Sequence, residues 1–293
     1  MKRWLIAIGA LVVLALAGWI FGLVADAGQW QIGDLAHRIP RRTALMRARE
    51  AEARKGGRGY RVDQQWVPYE RISPLLRHAV LIAEDDAFFS HGGLDWHEIG
   101  ESARTNLRKR RVLRGGSTIS QQLAKNLFLA QERTLTRKLK EVVLALRLER
   151  ALSKRRIFEL YLNLIEWGDG VYGAEAAAWH HFGVPASDLN PRQAALLAAV
   201  IINPRRYSPT DPNRRIERRM RMILQRMTRR GLLTEDEYRA ALEREPPAGP
   251  LDWLFGPGGG PKTAEDSAAI PQEVTPETLP PDSLMTPDDS TGP

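Results

Sequence analysis

Glu84-Asp85-Asp86-Ala87-Phe88-Phe89-Ser90-His91-Gly92-Gly93 opens a span that decides how this chain is read. Gly115-Gly116-Ser117-Thr118-Ile119-Ser120-Gln121-Gln122 follows, then Arg137-Lys138-Leu139-Lys140-Glu141, then Lys154 through Tyr161-Leu162-Asn163. Two separated carboxylates, Glu84 and Glu141, have glutamines and cations between them. That mixture suits a cleft for sugars and phosphates, because amides pair with hydroxyls and cations pair with phosphate oxygens.

Around these blocks the chain is a succession of helix signatures. Ser73-Pro74 supplies a cap and a first-turn proline, and Leu75, Leu76, Ala79, Val80 and Ala83 follow at helical spacing. Asp95 with Glu98, Thr118 with Gln121, Asn190 with Gln193 and Thr234 with Glu237 each have the capping-box spacing. Leu135, Leu139, Val142 and Leu146 form one predicted apolar stripe; Ile157, Leu160, Tyr161 and Leu164 form another. Ala194 to Ile202 is apolar nearly all round, which predicts a central buried helix. Alternating strand patterns are almost absent, so the expected class is mainly α, with a folded body over residues 66–245.

The flanks differ from this body. Trp4 to Ala25 contains no charged residue. At ~1.5 Å per residue it reaches about 30 Å, enough to cross a bilayer core. Residues 1–25 are therefore expected to be a retained transmembrane anchor. A cleavable signal peptide is the rival, since Ala25-Asp26-Ala27 resembles a cleavage site, but its apolar region would span only ~7–15 residues. Lys2 and Arg3 before the segment are balanced by Arg38, Arg41 and Arg42 after it, so charge leaves the orientation open. Residues 26–65 read as a connector with a Gly-rich patch at Lys55-Gly56-Gly57-Arg58-Gly59. Residues 246–293 hold eleven of the nineteen prolines, eight acids and one base, and are expected to be a disordered acidic tail.

With 293 residues and 43% hydrophobic content, the chain has length and apolar surface enough for a sizeable core. Its formal charge of +8 combines a tail at −7 with a body at +15. A body so basic points to an anionic partner. The run Arg104, Arg108, Lys109, Arg110, Arg111 and Arg114 lacks the interleaved aromatics of a stacking platform. This argues against nucleic acid and suits an anionic membrane surface. There is no cysteine, which excludes disulfides and thiolate metal sites.

Glu84 lies one turn beyond Val80 on an apolar helix, next to Asp85 and Asp86. Partial burial and neighbouring negative charge both disfavour its ionisation and bring a carboxyl toward the range useful for proton transfer. Taken singly, Glu-Asp-Asp is more often a solvated acidic helix end, and His91 more often a hydrogen-bonded structural residue than a ligand. Thr118 to Gln122 opens a helix whose free amides can hold an anion such as a diphosphate. Lys125 lies one turn below Gln121, and Arg133 follows the helix. Arg137 and Glu141 are four apart with Lys138 beside them; as a surface pair they would be worth only ~0.3–0.5 kcal/mol. His97 and Glu101 at helical spacing could touch a metal, but the pair alone is weak evidence for one.

Together these blocks closely resemble the peptidoglycan glycosyltransferases of family fifty-one, in their single-domain, membrane-anchored form, the transglycosylase domain also found in class A penicillin-binding proteins. The pattern E-D-x-x-F-x-x-H-x-G is met by Glu84, Asp85, Phe88, His91 and Gly93. G-x-S-T-I-x-Q-Q is met from Gly115 through Gln122, and R-K-x-x-E by Arg137, Lys138 and Glu141. K-x-x-I-L-x-x-Y-L-N is met by Lys154, Ile157, Tyr161, Leu162 and Asn163, with Phe158 in place of Leu. R-x-x-x-V-L is met by Arg219 and Leu224, with Ile223 for Val. Gly168, Gly170, Tyr172-Gly173 and Glu175 also look like the family, whereas His180-His181-Phe182 and Gly183-Val184 depart from it.

The resemblance implies a lysozyme-like helical lobe facing a smaller membrane-proximal lobe, with the cleft between them. It implies polymerisation of lipid II, the growing glycan on polyprenyl diphosphate being the donor. Glu84 is then the expected general base, and Glu141 a second acid that organises the cations. The implied substrate contacts are Asp85, Phe88, His91, Ser117, Thr118, Gln121, Gln122, Lys125, Arg133, Arg137, Lys138 and Asn163. No cofactor is required and no dedicated metal site is visible, although a divalent cation (Mg or Mn) on the diphosphate is compatible with the chemistry. The expected location is the cytoplasmic (inner) membrane, single-pass, with the catalytic body on the extracytoplasmic side. Expected partners are lipid II, the glycan strand, the membrane and other cell-wall synthesis or division proteins. A lysozyme-like glycan-cleaving enzyme and a non-enzymatic membrane scaffold are the alternatives.

Overall fold

The structure, a computed structural model, describes residues 32–109, 116–129 and 134–243, together with Trp4, Gly18 and Gly22. The rest of the expected anchor, the acidic tail, Gly115, Arg133 and the basic run from Arg110 onward lie outside the described residues. Among the described residues no helix is long and apolar enough to cross a membrane.

The architecture is helical, with ten α-helices and one small sheet among the described residues. In chain order these are α1 (Ala44–Lys55), β1 (Asp63–Gln64), α2 (Pro74–Glu84), α3 (Trp96–Lys109), α4 (Ile119–Phe128), α5 (Leu135–Ala151) and α6 (Lys154–Leu164). Then come β2 (Glu166–Gly168), β3 (Val171–Tyr172), α7 (Ala174–Phe182), α8 (Pro191–Val200), α9 (Arg214–Arg229) and α10 (Glu235–Leu242). Short 3-10 turns lie at Ile32–Ala36, Tyr69–Arg71, Phe88–Ser90 and Ala186–Asp188. The sheet order is β1-β3-β2, with β1 parallel to β3 in the register Asp63↔Val171 and β2 antiparallel to it.

The caps explain where the helices begin. Ser73 Oγ accepts the Leu75 N–H at 3.2 Å, and Pro74 at the first turn has no N–H to leave unpaired. Reciprocal capping boxes are formed by Thr118 with Gln121, Asn190 with Gln193 and Thr234 with Glu237. The centre is α8, where every residue from Ala194 to Val200 is buried. Against it pack α2, α9 and α10. A single buried leucine such as Leu197 contributes about 1.5–3 kcal/mol by leaving water. Two large side chains of α6, Phe158 and Tyr161, join Phe88 and Trp167 in the same core.

Two expectations are revised. On α5 the core face is Glu141, Leu144, Ala145 and Leu148, not the stripe through Leu139, Val142 and Leu146; Leu139 is 41% exposed. This helix is apolar on more than one face, so its periodicity is degenerate. The segment read as a connector contains α1, which is capped by Thr43 and packs on α4. Its Leu45 and Met46 form a small second core with Tyr172. Arg49 then ties it to β2 through Glu166 Oε2, at 3.1 Å from Nε and 3.0 Å from Nη2. Helix α1 is mostly arginine, glutamate and alanine, so its burial depends on partners more than a hundred residues away.

Two glycines are dictated by close approach. At Gly170 (φ +82°) a Cβ would stand 2.5 Å from the Arg61 carbonyl oxygen. At Gly173 (φ +85°) it would stand 2.7 Å from the Asn163 carbonyl oxygen. Both hold the sheet and α7 against the rest of the chain.

Candidate active site

The site begins where α2 ends against the start of α4. Asp85 leaves the helical conformation, and its Oδ2 accepts the Ile119 N–H at 2.9 Å. That bond clasps the last turn of α2 to the first turn of α4, whose free amides favour a carboxylate. The clasp sets Glu84 opposite Gln122: Gln122 Nε2 donates to Glu84 Oε2 at 3.0 Å. From α9, Arg219 Nη2 donates to the other oxygen, Oε1, at 2.7 Å and to the Ala83 carbonyl at 2.9 Å.

Glu84 is largely buried, with 12% of its side chain exposed, and it lines a cleft of about 600 Å³. Asp95, His97, Ser117, Thr118 and Arg226 line the same cleft. Burial raises the Glu84 pKa above the ordinary glutamate value, against the opposing pull of Arg219, Gln122 and Lys125. The carboxylate therefore holds a proton more readily than an ordinary glutamate does.

Cations lie beside it. Lys125 is exposed to solvent, yet protein crowds it; that desolvation and the adjacent Arg137 charge lower its ammonium pKa. Lys138 is lowered for the same reasons, desolvation first, then Lys125 and Arg137. Glu141, buried at 3% exposure, is the anchor of this group. It pairs with Arg137 through one oxygen and with Lys138 Nζ at 2.9 Å through the other. Lys138 Nζ also donates to Ser117 Oγ at 2.8 Å. A group of positive charges so fixed can receive a negative charge that develops on a leaving group.

The structure thus brings together Glu84, Gln122, Lys125, Ser117, Arg137, Lys138 and Glu141. Other expected contacts have their side chains engaged within the protein in this structure. Phe88 is fully buried in an aromatic cluster with Phe158, and Lys154 Nζ sits 4.3 Å from its ring centroid. Gln121 is buried and spends its Oε1 on the Thr118 N–H at 3.2 Å. Asn163 is fully buried and pairs with both backbone groups of Val67 at 3.0 Å. Thr118 borders the cleft, but its hydroxyl donates to the Gly93 carbonyl at 2.7 Å. Asp85 and His91 serve the clasp: Gly93 N–H donates to His91 Nδ1 at 3.2 Å, leaving Nε2 to donate to Asp85 at 3.0 Å.

That bonding also bears on whether this position suits a metal. Asp85, His91 and Asp95 bring ligand atoms within 4.8 Å of one another. Both His91 nitrogens are engaged, Asp85 accepts the Ile119 N–H, and Asp95 Oδ1 accepts the Glu98 N–H at 2.8 Å. With no free imidazole lone pair, this trio does not fit a resident divalent ion. Glu101 pairs with Arg104 at 3.0 Å and is not set against His97 as a ligand.

Arg219 and Tyr161 reach this site although neither is among the residues expected there. Arg219 was visible as the first letter of the R-x-x-x-V-L pattern. Tyr161 is visible both in an apolar stripe and in the K-x-x-I-L-x-x-Y-L-N pattern.

The family model for transglycosylases matches residues 51–228. This chain belongs to the transglycosylase family. It is 44% identical over 230 residues to the biosynthetic peptidoglycan transglycosylase of Laribacter hongkongensis, covering 78% of this chain and 97% of that one. It is 48% identical to the protein of the same name from Nitrosomonas eutropha, over 70% of this chain and 86% of that one. The Methylobacillus flagellatus transglycosylase is 50% identical over 64% of this chain and 82% of its own. The transglycosylase match encloses α2, α4, α5, α6 and all but the last residue of α9, and so contains every residue of the Glu84 site.

Proposed function

We propose that this chain is a peptidoglycan glycosyltransferase that polymerises lipid II into β-1,4-linked glycan by inverting transfer. Family membership and the names of its relatives support the substrate class. The observation that carries the mechanism is the buried Glu84 carboxylate beside the Lys125, Arg137 and Lys138 cations. Glu84 takes the proton from the acceptor GlcNAc 4-hydroxyl. The freed oxygen bonds to the donor's anomeric carbon from the face opposite the diphosphate. The bond from that carbon to the diphosphate oxygen breaks, and the electron pair leaves with polyprenyl diphosphate. Lys125, Arg137 and Lys138 stabilise the departing charge, and Glu141 holds the last two in place. Ser117 bridges this set to the cleft. Any divalent ion would be held by the diphosphate, not by the Asp85 trio.

A lipid-linked substrate requires the body to work at a bilayer. The apolar segment Trp4–Ala25 supports attachment to the cytoplasmic membrane, with the catalytic body on its outer side. A glycan-cleaving enzyme would need the acid but not the cations.

The test is incubation of the purified full chain and its Glu84→Gln variant with labelled lipid II, and separately with preformed sacculi. Long glycan from lipid II, lost by at least about a hundredfold in the variant, is expected of an essential general base. Fragments from sacculi with no polymer would replace this reading with hydrolysis.

A further inference from the structure

Tyr161, in the middle of α6, is fully buried and packs against Phe158 with ring centroids 6.5 Å apart. Its hydroxyl donates to Gln122 Oε1 at 3.0 Å. The other end of the same amide, Nε2, donates to Glu84 Oε2 at 3.0 Å. Three side chains from three helices thus form one directed chain, from the Tyr161 hydroxyl through the Gln122 amide to the Glu84 carboxylate.

An amide can sit either way round, and the two arrangements differ in what Glu84 meets. With Nε2 toward Glu84, the carboxylate receives a donor, which suits its ionised form. With Oε1 toward Glu84, two acceptors face each other unless the carboxyl is protonated. In that reversed arrangement Nε2 points at the Tyr161 oxygen, and the hydroxyl hydrogen loses its acceptor. Among the described residues Gln122 is the hydrogen-bond partner of that hydroxyl, and the tyrosine is fully buried. An unpaired buried O–H is costly, so the tyrosine excludes the reversed arrangement.

We propose that Tyr161 is a positioning residue for Glu84: its hydroxyl fixes which end of the Gln122 amide meets the carboxylate. It thereby keeps Glu84 in the form that accepts a proton. The proposal rests on the reading of Glu84 as the base. Other titratable or charged groups also share the cleft with Glu84 or act on it: Arg219 and Arg226 from α9, Lys125 from α4, Asp85 and Asp86 beside it, and Asp95, His97 and Glu98 across the cleft. None of them depends on the amide's orientation, so a change confined to Tyr161 reads the relay alone.

The experiment is the pH dependence of kcat/KM for lipid II polymerisation by the full chain, in wild type, Tyr161→Phe, Gln122→Leu and the double variant. Tyr161→Phe keeps the ring and frees the amide to reverse. Its acid limb should move up by about one pH unit, with a roughly tenfold loss on that limb that recovers as pH rises. Gln122→Leu should give the same displacement. The double variant should lose no more than the larger single loss, because both substitutions break one chain. An acid limb at the wild-type position, a loss equal at every pH, or additive losses would each overturn the proposal. Glu84→Gln, run alongside, separates the two levels. An active Glu84→Gln removes the base assignment itself, whereas an inactive one with an unshifted Tyr161→Phe removes only the relay.

Discussion

Arg219 Nη2 lies 2.7 Å from Glu84 Oε1, a contact between side chains 135 positions apart that joins α9 to the last turn of α2. It supplies the largest effect opposing burial at the carboxyl. Replacing it by methionine keeps the apolar stem and removes the charge, so the Glu84 pKa should climb further. A base that ionises only at higher pH is a poorer base at neutral pH. Arg219→Met should lower kcat/KM at pH 7 by about ten- to a hundredfold and displace the acid limb upward. A loss with the limb unmoved would mean that Arg219 acts on the substrate and not on Glu84.

The shifts at Glu84 and Lys125 have opposite signs and together bound the working range. Glu84 must be ionised, and burial raises its pKa, so activity should fall as pH drops through a value above the ordinary glutamate range. Lys125 must be charged, and desolvation with Arg137 lowers its pKa, so activity should fall as pH rises through a value below the ordinary lysine range. The expected profile is a bell. Lys125→Arg, whose guanidinium stays charged above pH ~12, should move the alkaline limb upward and leave the acid limb in place. The measurement is initial rate against pH at saturating and limiting lipid II.

Why these relationships were only partly legible follows from what each depends on. The starts of α2, α4, α8 and α10 could be read because a cap is a local device: Thr118 finds Gln121 within one turn whatever the rest of the chain does. Glu84, Lys125 and Glu141 could be nominated by residue type and spacing. Their grouping could not, since it depends on the Asp85 to Ile119 clasp across 34 positions. The Asn163 side chain carries the same functional groups whether it faces a sugar or a backbone. Only packing shows that it faces Val67. The inward face of α5 was misread because leucines occur on both sides, and the buried Glu141 marks the true inner face.

Glu141 holds two cations whose side chains are partly exposed, Arg137 at 21% and Lys138 at 44%. Glu141→Gln should leave both long side chains free to swing, and their shared neighbour Ser117 would keep Lys138 only loosely. Turnover should fall by more than about tenfold, since charge stabilisation depends on donors already in place. Thermal stability should fall by about 1–3 kcal/mol, because a buried carboxylate with charged partners is replaced by a neutral amide. Saturating substrate should not restore the rate. Recovery at high lipid II would instead show a defect of binding.

Asn163 provides the sharpest separation of frame from site. Its Oδ1 accepts the Val67 N–H at 3.0 Å, and its Nδ2 donates to the carbonyls of Val67 at 3.0 Å and Glu159 at 2.9 Å. Asn163→Ala would strand both buried backbone groups of Val67. The cost should be about 2–4 kcal/mol, each stranded group contributing about 1–3. For a domain of this size that lowers Tm by about 5–15 °C. Because the side chain has no exposed surface, the KM for lipid II measured well below Tm should be unchanged. A stable Asn163→Ala protein with a raised KM would return this residue to the substrate, and with it the expectation drawn from the sequence.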